Sequence, residues 1–161
     1  MALGFETEET MRGTHHFVNP SYGSPHEMPM HFRIDWGQAF DRFLNPGSAG
    51  FFRADATGVI SVTGLTDGEV PAKGSLELRY LSENTLRYDL EFKARGEPFR
   101  YVGQKRDVKL WKPWLLPKTH TTCYGWISDE QGAIISRSVV HFLLDFATLA
   151  HFITSFRLKW R

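Results

Sequence analysis

Residues 74–92, GSLELRYLSENTLRYDLEF, decide the fold. Leu76, Leu78 and Tyr80 fall on one parity against Glu77 and Arg79, and Leu86, Tyr88, Leu90 and Phe92 fall opposite Arg87, Asp89 and Glu91. Side chains alternate across a strand, so each run is a strand with one dry face and one wet face. The polar Ser82-Glu83-Asn84 between them reads as a hairpin connection, which makes the pair antiparallel.

The same pattern extends in both directions. Downstream, Gly96-Glu97-Pro98 is a turn, PFRYVGQK (98–105) a strand, THTTCYGW (119–126) a strand, Asp129 to Gly132 a turn, and AIISRSVVHFLL (133–144) a strand rich in β-branched residues. Upstream, Met28, Met30, Phe32, Ile34 and Trp36 alternate with His31, Arg33 and Asp35, while Phe5 to Met11 alternates too but is acidic enough to suit an edge strand. Arg12 to Pro29, dense in turn formers, reads as a long loop, and GQAFDRFL (37–44) as a short helix. Gly50 to Ala54 and Gly58 to Leu65 read as two strands about a turn at Asp55 to Gly58, and Gly68, Pro71 and Gly74 mark a further connection. At the C-terminus Phe142, Phe146, Leu149, Ile153 and Phe156 change to helical spacing, with Asp145 as cap.

The expectation is a single domain over 1–161, mainly β: an antiparallel up-and-down β-barrel of about nine strands with a short early helix and a C-terminal amphipathic helix. A barrel of about eight strands can enclose one small ligand. Lys+Arg 19 against Asp+Glu 18 gives a net charge of +1 spread along the chain, which argues against a general nucleic-acid binder. One cysteine, Cys123, excludes an intrachain disulfide and suits a reducing compartment. With no signal-like N-terminus and no long apolar run, a cytoplasmic location is expected.

No Walker A loop, Gly-x-Gly-x-x-Gly, Gly-x-Ser-x-Gly or His-Glu-x-x-His occurs, so nucleotide-driven, hydrolase and zincin chemistry have no support and no cofactor is expected. The histidines at 15, 16, 26 and 31, with Glu27, fit no ligand spacing, and no metal site is expected from them. The candidate site is the stretch from Tyr101 to Trp126. His120, Thr122, Tyr124 and Trp126 share one parity, so His120 can act as base and Tyr124 as donor if that parity faces inward. Arg137 and His141 extend the cluster from the next strand, Arg100 and Gln104 from the preceding one, and Tyr88 from the strand before that. Tyr101 and Lys105 are the alternative inward pair on the Arg100 strand. Trp111, Trp114, Leu115 and Leu116, interleaved with Lys109, Lys112 and Lys118, suit the entrance of an apolar cavity, a peripheral membrane contact, or core packing.

In element order the chain resembles the calycins, the lipocalin and fatty-acid-binding class, and this resemblance implies carriage of an apolar ligand. A second resemblance, carried by FETEETMRG (5–13), LRYDLEF (86–92), YVGQK (101–105) and SFRLKW (155–160), is to small accessory domains of cholesterol-oxidase-like flavoproteins of the glucose–methanol–choline family. It implies a lipid- or sterol-related setting, without oxidase activity, since the flavin-binding glycine fingerprint is absent. Three functions follow as expectations: binding of a fatty acid or sterol-like lipid in a barrel cavity lined by the abundant aromatics, 13 Phe, 5 Trp and 5 Tyr, an isomerase or cyclase acting on a lipid or steroid carbonyl, or a structural or interaction domain whose barrel is filled by its own side chains. The oligomeric state is not legible in the sequence.

Overall fold

A computed structural model describes residues 2–79, 84–106, 122–142, 154 and 157–160. The strands are β1 (Leu3–Phe17), β2 (Met28–Ala39), β3 (Arg53–Val62), β4 (Val70–Arg79), β5 (Thr85–Ala94), β6 (Glu97–Lys105), β7 (Thr122–Ser128), β8 (Ile134–Phe142) and β9 (Arg157–Trp160). One short helix, α1 (Phe40–Phe43), follows β2. Each strand pairs antiparallel with the next from β1 to β8, and β8 returns to β1 from Met11↔Phe142 to Phe17↔Ser136, so eight strands close into a barrel. β9 is the additional strand, laid along Leu3 to Glu6 where β8 does not reach. Closure leaves none of the eight with an unpaired side, which explains why an acidic first strand is tolerated.

Four expectations are corrected. β1 is paired on both sides, not an edge, and it runs on to Phe17. β3 crosses Asp55 to Gly58 without turning, and Pro71 and Gly74 lie inside β4. The glycines there serve close approach instead of reversal: a Cβ on Gly58 would sit 2.0 Å from the Arg33 carbonyl oxygen, and one on Gly74 1.8 Å from that of Asp89. Such glycines let a strand coil tightly enough to close a small barrel. The helix expected from Phe142 to Phe156 falls almost entirely outside the described residues; Phe142 completes β8, and the last described element is the strand β9. The β1 edge that β8 leaves uncovered gives Arg157 to Trp160 backbone partners. Among the described residues no helix is long and apolar enough to cross a membrane.

The interior is packed by residues of alternate parity. Met11, Phe32, Ile34, Ile60, Leu76, Tyr88, Leu90, Tyr101, Ile127 and Val140 are fully buried in one cluster. Phe32 packs edge-on against Tyr88 and tilted against Tyr101, each at 5.4 Å between ring centroids, so aromatics cross the middle of the barrel. A second cluster, Phe5, Phe43 and Ala54 with Trp36, Phe40 and Phe52, lies beneath α1. The strand ends at Arg79, Thr85, Lys105, Thr122 and Phe142 share this end of the barrel.

Candidate functional site

The functional candidate inside the barrel is a charged group. Glu9 of β1 stands on the parity of Phe5, Thr7 and Met11, all of which point inward, so its carboxylate enters the core. Lys105, the last residue of β6, reaches it with Nζ 2.5 Å from Oε1. Tyr88 of β5 donates its hydroxyl to both carboxylate oxygens at 2.9 Å. Glu9 and Lys105 are 5% and 3% exposed, so the pair is dry. The ammonium also lies over the rings of Tyr88 at 5.3 Å and Phe142 at 5.7 Å. Ammonium and phenol together satisfy the carboxylate with three contacts, the condition under which a buried ion pair is tolerated.

Burial, then the Glu9 charge, pushes the Tyr88 hydroxyl well above its usual range, which keeps it a donor at any physiological pH. Trp36 faces Thr7 across the β1–β2 ladder, in the row next to Glu9↔Ile34. Its indole Nε1 is buried and, among the described residues, has no hydrogen-bond partner. An orphaned buried donor costs about 1–3 kcal/mol, so this half of the interior holds an unused hydrogen bond as well as a charge pair.

Two further interior groups are chemically quiet. Tyr101 OH lies 3.6 Å from Cys123 Sγ, and burial pushes the thiol up to about 12, so it is not a nucleophile. His15 is 1% exposed. Its Nε2 donates to the Thr63 carbonyl at 2.8 Å, and its Nδ1 meets Ser136 Oγ at 2.8 Å. Burial is the main cause that holds its pKa below the ordinary histidine value, favouring the neutral ring.

The sequence-derived site residues divide by face. Tyr88 and Lys105 point inward. Thr122, Tyr124, Trp126, Arg137 and His141 share the outer face of β7 and β8, with Thr122 Oγ1 3.1 Å from His141 Nδ1 and Trp126 opposite Arg137. The condition set for this group, that its parity face inward, is therefore not met: Cys123, Gly125 and Ile127 take the inner positions. Arg100 and Gln104 are outward on β6, and Arg100 pairs with Asp89, Nε to Oδ1 at 2.7 Å. That pairing, the largest influence, holds the Asp89 carboxyl below its usual range. His120, Trp111, Trp114, Leu115 and Leu116 lie outside the described residues.

Glu9 was missed as a site residue, although its signal was present: a carboxylate on the sheltered parity of an alternating strand. Trp36 was visible only as core. Among the described residues no three His, Cys, Asp or Glu side chains converge as metal ligands. His31, outward on β2, bonds Glu69 at 2.9 Å. Neither a protein-family model, nor a curated protein, nor a solved structure matches this chain.

Proposed function

We propose that the barrel binds an apolar small molecule with a polar head, of the fatty-acid or sterol-like class, in the half of its interior that holds Glu9, Lys105, Tyr88 and Trp36. The observation that carries this reading is the coincidence, on the inward face of the β1–β2 ladder, of a buried charge pair at Glu9 and an orphaned buried indole N–H at Trp36, opposite Thr7. A buried ion pair is seldom better for stability than an apolar replacement of equal volume, so its presence favours a use beyond packing. A ligand oxygen would accept a hydrogen bond from Trp36 Nε1–H, and Lys105 or Tyr88 would hold a second polar atom. Apolar burial at about 25 cal/mol per Å² supplies the gross driving force.

The filled centre, where Met11, Phe32, Tyr88 and Tyr101 are each 0% exposed, favours a second reading, a structural or interaction module. A catalytic reading through His120 and Tyr124 requires both to face a bound carbonyl from the interior; Tyr124 is 54% exposed on the outer wall and His120 lies outside the described residues. The test is native mass spectrometry of the purified protein together with titration by a fluorescent fatty acid and a fluorescent sterol. Binding that is lost in the folded double variant Glu9→Leu, Lys105→Met supports the lipid reading. Absence of any bound apolar molecule with both probes at background supports the filled module and ends the lipid reading.

A further inference from the structure

The outer wall of the barrel is not electrically uniform. Across β3 to β6 it carries a shallow concavity of about 400 Å³ lined by Arg53, Lys73, Asp89, Glu91 and Arg100 among others, where acid and base interleave. Arg53 faces Glu77 at 3.9 Å, and Asp89 is held by Arg100 and by Arg87 at 3.9 Å. That region neutralises itself.

The wall formed by β7, β8 and β1 differs. Its registers set outward residues in three rows: Trp126, Arg137 and His16; Tyr124, Val139 and Thr14; Thr122, His141 and Arg12. Two arginines, two histidines and two aromatics stand in this grid; it contains no carboxylate of its own, and Glu69 acts on Arg12 from outside it. Arg12, Arg137 and His141 are exposed, and Tyr124 is 54% exposed. Gln104 extends the middle row beyond Tyr124, and Arg33 and His31 of β2 flank β1, where Glu69 bonds His31 at 2.9 Å and reaches Arg33 only at 4.0 Å.

We propose that this face binds single-stranded nucleic acid, with Tyr124 as a base-stacking platform and Arg12 and Arg137 as phosphate contacts. Rows two residues apart along a strand are separated by roughly 6.6 Å, a stride that an extended single strand can follow. A π-face beside fixed cations, with Thr14, Thr122 and Gln104 as hydrogen-bonding groups, is the chemistry that binds such strands without base specificity. The near-zero net charge bears on the whole chain, whereas counterion release depends on the local face. An anionic membrane is the less suited occupant, because Tyr124 is the one large, strongly exposed apolar side chain in the grid and little would enter the headgroups.

The experiment is fluorescence anisotropy of the full chain with a short fluorescein-labelled oligothymidylate at low salt, beside sedimentation with phosphatidylserine vesicles. Binding to the oligonucleotide that Tyr124→Ala weakens roughly 10-fold supports the proposal. The pair Arg12→Gln, Arg137→Gln should reduce the slope of log affinity against log salt by about 1.4, since a single-strand phosphate contact contributes about 0.7. Lys73→Gln on the self-neutralised wall should leave both quantities unchanged. All three variants are on the outer wall, and circular dichroism checks that each is folded. No oligonucleotide binding, binding indifferent to the Tyr124 and arginine changes, or capture by vesicles alone overturns the proposal.

Discussion

One sheet carries two carboxylate–cation contacts of similar length in opposite surroundings. Glu9 and Lys105 meet inside, with side chains 6% and 4% exposed. Arg100 and Asp89 meet outside, with side chains 52% and 23% exposed. Distance alone would rank them together, but solvent does not. Water screens the outer pair and replaces either partner at little cost, so such contacts contribute about 0–1 kcal/mol. Inside, no water takes over, and losing one partner strands a charge in a low-dielectric core. The wall of the barrel, a single β-sheet, is what separates the two regimes.

That contrast can be broken most sharply from inside. Lys105→Met should lower unfolding free energy by about 3–5 kcal/mol in urea denaturation, because Glu9 is left buried and unpaired. Adding Glu9→Leu should restore stability to the wild-type level or above it by roughly 1–4 kcal/mol; a double variant no better than the single one would show that the pair is not dry. Tyr88→Phe removes a neutral donor to a charged acceptor, and the expected loss is about 1.5–3 kcal/mol by the same measurement.

His15 sharpens the comparison, since it is a buried polar group that stays neutral. Its folded pKa lies below the unfolded value of about 6.5. As pH falls through 6.5 towards the folded value, the unfolded chain holds more protons, so stability should be full above this window and decline within it. His15→Gln should flatten that decline between pH 7 and 5. The smallest effect belongs to the outer pair: Arg100→Ala should cost about 0.2–1 kcal/mol and less at high salt.

Much of the sheet was legible because alternation is local. Tyr88, Leu90 and Phe92 on one side and Arg87, Asp89 and Glu91 on the other needed only neighbouring residues to be sorted, and the structure keeps that division. The glycines misled for a related reason: Gly58 and Gly74 carry turn chemistry in isolation, but here a backbone passes where their Cβ atoms would be. The site was half legible. Tyr88 and Lys105 stood out as inward possibilities, whereas Thr122, Tyr124 and Trp126 formed as good a column and point the other way.

By itself, then, the sequence determined an antiparallel β architecture and which side chains share a face, since a period of two is written in each strand. Only the tertiary structure decided which face is inner, that β1 closes the barrel against both β2 and β8, and that Glu9 meets Tyr88 and Lys105 across separations of 79 and 96 residues. The physical reason is that parity has no sign until a sheet curls. The side that becomes concave, and the residues that face each other across it, depend on closure by all eight strands together.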